Sequence, residues 1–246
     1  TTASFIAASC DVPIAKHGNK AITSNSGSAD VLTQAGANIN LSPEQVAVCI
    51  ETINIGFMFA PLHHEAMKHV VASRKKIAPE KTIFNLLGPL TNPANSKIQL
   101  IGVYEKEKLQ LVADTLKNLG AKRAMIVHSE DGLDEISIFN KTNVAEINNS
   151  DVIYYTINPD DYNLMDGNMS DILASNTSDS LSLMESVFNN NIGPALNISI
   201  INAASLLYLS GTEKSLESAI MACRDAVKDG KAKNKFKEFI TFTNNI

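Results

Sequence analysis

The sequence predicts an α/β fold: a mixed, mostly parallel sheet flanked by helices. Three observations predict it. Over residues 1–130, segments with helical apolar spacing alternate with short strand-like runs. Within that stretch, residues 99–128 read strand, helix, strand, the pattern of a parallel pair joined by a crossover helix. The composition agrees. With 246 residues, 44% hydrophobic and 19% charged, the chain can bury a core without disulfide or metal staples.

Residues 3–9 read as a helix behind the hydroxyl caps Thr1 and Thr2, and Val12–Ala15 as a short strand. Ala29–Gln34 is a helix stopped by Gly36. Ser42-Pro43-Glu44-Gln45 is a capping box with proline in the first turn, opening a helix to about Thr52. A further helix is expected over 63–77, with Ala66, Val70 and Val71 on one side. Gln99–Tyr104 reads as a buried strand, Lys106–Leu119 as an amphipathic helix closed by Gly120, and Arg123–His128 as another buried strand. Val144–Ile147 and Val152–Ile157 are two more strands. A polar loop follows. Three helices close the chain: Leu181–Phe188, Ile198–Leu209 and a long basic one from Ser215 onward. Residues 41–78 are expected to form a helical insert that packs elsewhere.

Several function classes are disfavoured. The net charge is −5, whereas nucleic-acid binders are usually basic. The longest apolar stretch, Ser199–Leu209, is interrupted by Asn202 and Ser205 and is too short to span a bilayer. No basic segment precedes an apolar one at the start, so no signal peptide is expected. The three cysteines, Cys10, Cys49 and Cys223, are odd in number and lack zinc spacing. They read as reduced and mostly buried, in a cytoplasmic setting. The chain opens on Thr1 without Met, which suggests that it begins inside a larger protein.

Four clusters carry chemistry. Residues 16–30, Lys-His-Gly-Asn-Lys-Ala-Ile-Thr-Ser-Asn-Ser-Gly-Ser-Ala-Asp, place small and hydroxyl residues between a strand and a helix start. Such a loop lets backbone N–H groups approach an anion, and Lys16 and Lys20 add charge. The composition suits phosphate or pyrophosphate, and equally a polar connection with a serine cap. The second cluster, His63 to His69 with Arg74, offers one of only three arginines. A guanidinium grips a carboxylate through two bonds, although most such arginines are surface cations. Adjacent histidines on a helix do not form a metal clamp. The third, residues 82–95, is turn-rich around Pro89 and Pro93, a pocket wall or a plain connector. The fourth, Asp131-Gly132-Leu133-Asp134-Glu135, follows a buried strand, where α/β sheets bind ligands. Neighbouring carboxylates there suit Mg²⁺ shared with a substrate phosphate, or an acidic surface turn.

Lys16-His17-Gly18-Asn19, Ser26-Gly27-Ser28-Ala29-Asp30-Val31-Leu32, Phe84-Asn85-Leu86-Leu87-Gly88-Pro89-Leu90-Thr91-Asn92-Pro93 and Gly132-Leu133-Asp134-Glu135 stand in one order and spacing. Together they resemble the motifs of the anthranilate phosphoribosyltransferases, most strongly over residues 1–140. The resemblance implies a nucleoside phosphorylase/phosphoribosyltransferase-like fold. It implies transfer of the phosphoribosyl group of 5-phosphoribosyl 1-pyrophosphate (PRPP) to the amine of anthranilate, with Mg²⁺, in tryptophan biosynthesis. Residues 1–40 and 79–246 would form the α/β PRPP-binding domain. Residues 41–78 would belong to a largely missing N-terminal helical domain, which serves a homodimer in the intact family. The PRPP residues implied are Thr1, Lys16, His17, Gly18, Asn19, Ser24 and Ser28. Asn19, His64, Arg74, Gly88 and Pro89 would contact anthranilate, and Asp134 and Glu135 would hold the metal. The family's Gly-Thr-Gly-Gly-Asp loop would precede Thr1, so impaired turnover is expected of the 246 residues. Related pyrimidine nucleoside phosphorylases, or a non-catalytic nucleic-acid-binding relative, are the alternatives.

Overall fold

A computed structural model describes residues 1–21, 25–64, 83–149 and 151–246. Helix α1 (Thr2–Ala8) buries Phe5, whose ring meets Phe188, Phe236 and Phe239 edge-on at centroid distances of 6.1, 5.0 and 5.3 Å. Edge-to-face rings of this kind contribute beyond their buried area, and they tie α1 to the end of the chain.

Strand β1 (Ile14–Gly18) begins two residues later than its apolar pattern suggested. Helix α2 (Ser28–Gln34) ends before Gly36, which adopts φ +91° as a helix stop requires. Helix α3 (Pro43–Ile53) opens on the expected box: Gln45 N–H donates to Ser42 Oγ at 3.3 Å, and Ser42 N–H to Gln45 Oε1 at 2.9 Å.

The helical expectation for 41–78 needs correction. After Asn54, which is left-handed, the chain forms strand β2 (Ile55–Phe59), parallel to β1, with Lys16 opposite Phe57. Its apolar run is short, fully buried and free of alternation, a pattern that periodicity does not separate from a helix. Leu41, Val46, Cys49 and Ile53 bury in the same core as β2 and α1, so this part packs with the α/β body. Helix α4 (Ala60–His63) follows. The helix expected over 63–77 lies outside the described residues from position 65, as do Ala66, Val70 and Val71.

The stretch read as turn-rich at 82–95 is helical from the start of its described part: α5 (Ile83–Leu90) carries Pro89 in its last turn. Strands β3 (Ile98–Gly102) and β4 (Arg123–Ser129) are parallel and joined by α6 (Lys108–Asn118), as the strand-helix-strand pattern predicted. Strands β5 (Thr142–Asn148) and β6 (Asp151–Ile157) extend this sheet antiparallel, in the order β3-β4-β5-β6. Among the described residues two strand pairings are parallel and two antiparallel, which makes the mixed character explicit.

Helices cover both faces. On one, Leu109, Val112, Ala113 and Leu116 of α6 pack on Ala124, Ile126, Ala145 and Ile147. On the other, Met125, Val127 and Val144 meet the larger core built with α7 (Thr177–Phe188) and α8 (Pro194–Ser210). The single long basic helix expected from Ser215 is two: α9 (Leu216–Lys228) and α10 (Lys231–Thr243), broken at Gly230 with φ +74°. Among the described residues no helix is long and apolar enough to cross a membrane.

Candidate active site

The end of β1, the loop after it and the end of β3 face the segment that follows β4. Between them lies a cleft of about 770 Å³. This is the carboxyl end of the parallel strands, where α/β sheets bind ligands. Thr1, Lys16, His17, Gly18, Asn19, His64, Gly88, Pro89, Asp134 and Glu135 all line it. Residues from five stretches of sequence therefore meet in one hollow. Ser24 and Arg74 lie outside the described residues. Ser28, at the start of α2, is absent from the lining but sits directly behind it: a side chain at Gly18 would run into Ser28 Oγ and the Phe57 ring.

Asp30 shapes the cationic side. Its carboxylate accepts from Ala21 N–H at 2.8 Å and Gly27 N–H at 3.1 Å, and Ala29 N–H donates to Asn19 O at 3.2 Å. These bonds draw the loop into a neck. Gly27 is required there, because a Cβ would overlap Ala21 N and Asn19 O. Lys16 is drawn down from the usual ammonium range by burial, while the Glu135 carboxylate across the cleft opposes that shift. The basic and acidic walls are thus within electrostatic reach of each other.

His17 is pushed down to about 4, first by burial and then by His64, His63 and Lys16. It is neutral near pH 7. Among the described residues its buried Nε2 has no hydrogen-bond partner. The His17 and His64 rings lie 4.7 Å apart. Thr91 Oγ1 donates to Leu87 O at 2.6 Å and meets His64 Nε2 at 3.3 Å. With its proton on Leu87, the hydroxyl accepts from a His64 Nε2–H. His63 is also drawn down, mainly by burial.

On the acidic wall, Asp134 and Glu135 are consecutive and both face the cleft. Among the described residues no three His, Cys, Asp or Glu side chains cluster as a metal site. Two carboxylates with open space beside a cation suit Mg²⁺, which keeps waters and substrate phosphate oxygens as its other ligands. This donor set fits that ion and does not suit a thiolate- or imidazole-seeking metal.

Sequence reasoning did not single out three other lining residues as site residues: Asn92, Gly102 and Asn202. Asn92 Nδ2 donates to Ala15 O at 3.2 Å and ties the segment after α5 to β1. Asn202 had a visible signal, since an amide inside a mostly apolar helix requires a partner.

Comparisons with known proteins agree with this fold. A family model described as "Glycosyl transferase family, a/b domain" matches residues 1–233. An anthranilate phosphoribosyltransferase from Ruthia magnifica is 47% identical over 240 residues, covering 98% of this chain and 70% of that protein. A crystal structure of anthranilate phosphoribosyltransferase from Thermus thermophilus superposes with a TM-score of 0.92 at 32% identity, over 99% of this chain and 72% of that one. The Saccharomyces cerevisiae enzyme in complex with PRPP and Mg superposes with a TM-score of 0.88 at 26% identity, over 100% of this chain and 69% of that one.

Proposed function

Because the chain belongs to the anthranilate phosphoribosyltransferase family, we propose that its cleft joins the amine of anthranilate to C1 of PRPP, giving N-(5-phosphoribosyl)anthranilate and pyrophosphate. The observation that carries this reading is the convergence of Lys16 and the Asp134-Glu135 pair on one cleft from opposite walls. A diphosphorylated sugar needs a cation donor on one side and carboxylates for a divalent ion on the other.

The chemistry asks little of a nucleophile. The aromatic amine is neutral and attacks C1, the C1–O bond to pyrophosphate breaks, and the nitrogen releases a proton. The cost lies in the charge that develops on the departing pyrophosphate and the oxocarbenium-like sugar. Lys16 stabilises the departing anion electrostatically, and Thr1, Gly18, Asn19, Ser24 and Ser28 surround the PRPP. Asp134 and Glu135 would hold Mg²⁺, which, when bound, neutralises pyrophosphate charge. His17, uncharged, lies where the PRPP and anthranilate sides meet and offers a ligand its Nε2, which has no partner among the described residues. Asn19, His64, Gly88, Pro89 and Arg74 form the anthranilate side. There Arg74 grips the carboxylate and orients the amine, so the gain is one of alignment.

The test is loss of anthranilate fluorescence on adding PRPP and Mg²⁺. Turnover that falls steeply in Glu135→Gln is expected. Impaired, slow loss is expected of the 246 residues; phosphorolysis of a pyrimidine nucleoside in its place, or no Mg²⁺-dependent binding of PRPP at all, overturns the reading. Arg74→Ala is expected to raise the anthranilate KM by at least about tenfold and to leave the PRPP KM nearly unchanged. We further propose a cytoplasmic homodimer. The separate helical domain is retained only for the part of 41–78 after Phe59, since β2 ends there.

A further inference from the structure

Helix α8 is apolar through its middle, with Ile198, Ile200, Ile201, Ala203 and Ala204 buried. Asn202 stands among them at 7% exposure. Its amide is fully engaged. Oδ1 accepts from Ile136 N–H at 3.0 Å, and Nδ2 donates to Ile136 C=O at 2.8 Å and to Ile198 C=O at 2.9 Å. A buried amide costs stability unless it is paired. What it pairs with is the residue immediately after Glu135.

We infer that Asn202 is a positioning residue, which orients the Asp134-Glu135 carboxylates for their cation by holding the backbone of Ile136. The inference rests on the proposed metal role of that pair. Ile136 N–H belongs to the peptide plane shared with Glu135, and Ile136 C=O to the next plane. Gripping both from one rigid helix fixes the direction in which Glu135 leaves the chain. Ile136 is itself fully buried, so the grip is anchored on the core side. The opposite side is closed by β3. Gly102 lies so near Asp134 that any side chain there would overlap the Asp134 carbonyl. The acidic pair is thus held between Gly102 and Asn202, and both residues also line the cleft. Groups that orient metal ligands from behind typically govern affinity, and their loss costs about 10–100-fold.

The experiment is calorimetric titration of the full chain with PRPP across a Mg²⁺ series, reading the Mg²⁺ concentration that half-restores PRPP affinity. Asn202→Ala is expected to raise that concentration about 10–100-fold. The anthranilate KM should stay within about twofold, and activity should recover in excess Mg²⁺. Ser205→Ala is the control. It removes a buried polar group of the same helix whose bond stays within the helix, Ser205 Oγ to Ile201 O at 3.0 Å. Its Mg²⁺ response should match wild type. Should Asn202→Ala fail to melt cooperatively, Asn202→Ser carries the same comparison, because a hydroxyl is too short to bridge both Ile136 groups. An unchanged Mg²⁺ response in a folded Asn202 variant overturns the inference while leaving the metal site standing. A wild-type Mg²⁺ response in Glu135→Gln overturns the metal reading and the inference with it.

Discussion

The two walls of the cleft are built by different means. The acidic wall, residues 129–142, is stitched through its backbone. Ser129 N–H donates to Leu133 O at 2.9 Å, Glu130 N–H to Lys141 O at 2.9 Å, Ser137 N–H to Thr142 Oγ1 at 3.0 Å and Phe139 N–H to Ser137 Oγ at 3.0 Å. Ile136, Ser137 and Ile138 are fully buried beneath it. The loop of the cationic wall is held differently. Its described part is drawn together at the neck by Asp30 and Asn19, and Lys20 and Asn25 are exposed. The difference teaches a division of labour. On the proposed roles, carboxylates that hold a divalent ion are placed beforehand, because ligand geometry decides affinity. Donors meant for a phosphate need only be gathered, because a phosphate accepts hydrogen bonds from many directions.

That contrast is broken most severely at the acidic wall. Glu135→Gln keeps the shape and removes the charge. It is expected to lower kcat/KM by roughly 10²–10³-fold, as loss of a principal electrostatic stabiliser does. Steady-state fluorescence assays in saturating Mg²⁺ check it, and a fall below about fivefold would mean that the prebuilt wall is not where the cation acts. The neck of the cationic wall comes next. Asp30→Ala leaves Ala21 N–H and Gly27 N–H without their carboxylate, two charge-assisted bonds. The PRPP KM is expected to rise about 10–30-fold, with the Mg²⁺ requirement unchanged. A shifted Mg²⁺ requirement would show that the walls are not independent.

A smaller effect isolates the stitching itself. The buried Ser137 Oγ accepts from Phe139 N–H and donates to the Asp131 carboxylate, both on half-buried residues. Ser137→Ala is expected to cost about 1 kcal/mol of stability, or about 2–4 °C in Tm, measured by thermal denaturation. Nothing in Asp131-Gly132-Leu133-Asp134-Glu135 as a string announces this floor. The acids were legible because they follow a strand; the bonds that hold them join Ile136 to Asn202, far apart in sequence. Much of the fold shows the same limit. Ser42 and Gln45 mark the start of α3 because a cap is local chemistry. Strand β2 was hidden because its pairing with β1 is distant, and because Gly56, read locally, looks like an interruption. In the fold Gly56 lets α3 lie on the strand, where a side chain would meet Val46 and Ile50. Gly88-Pro89 suggested a turn, yet the helix runs on through it: Pro89 gives up its own backbone bond, and the next turn still closes, Thr91 N–H on Leu87 O at 3.0 Å. Gly230, by contrast, was a readable stop in a helix taken to be continuous.

The mildest probe asks how much extra positive charge the cationic wall tolerates. His17 stands beside Lys16 and is held near 4, whereas an imidazole in the unfolded chain titrates near 6.5. Between those values the unfolded chain binds more protons, so stability falls as pH drops from about 6.5 toward 4 and is fully present above 6.5. Because His17 is partly exposed, screening holds its share of the change between pH 7.5 and 6 to less than about 1 kcal/mol. His17→Asn should flatten this part of the Tm-against-pH curve while leaving the slope below pH 4, where carboxylates dominate. An unaltered curve in that variant would place the proton elsewhere, and it would mean that the exposed wall accommodates a second cation as readily as water does.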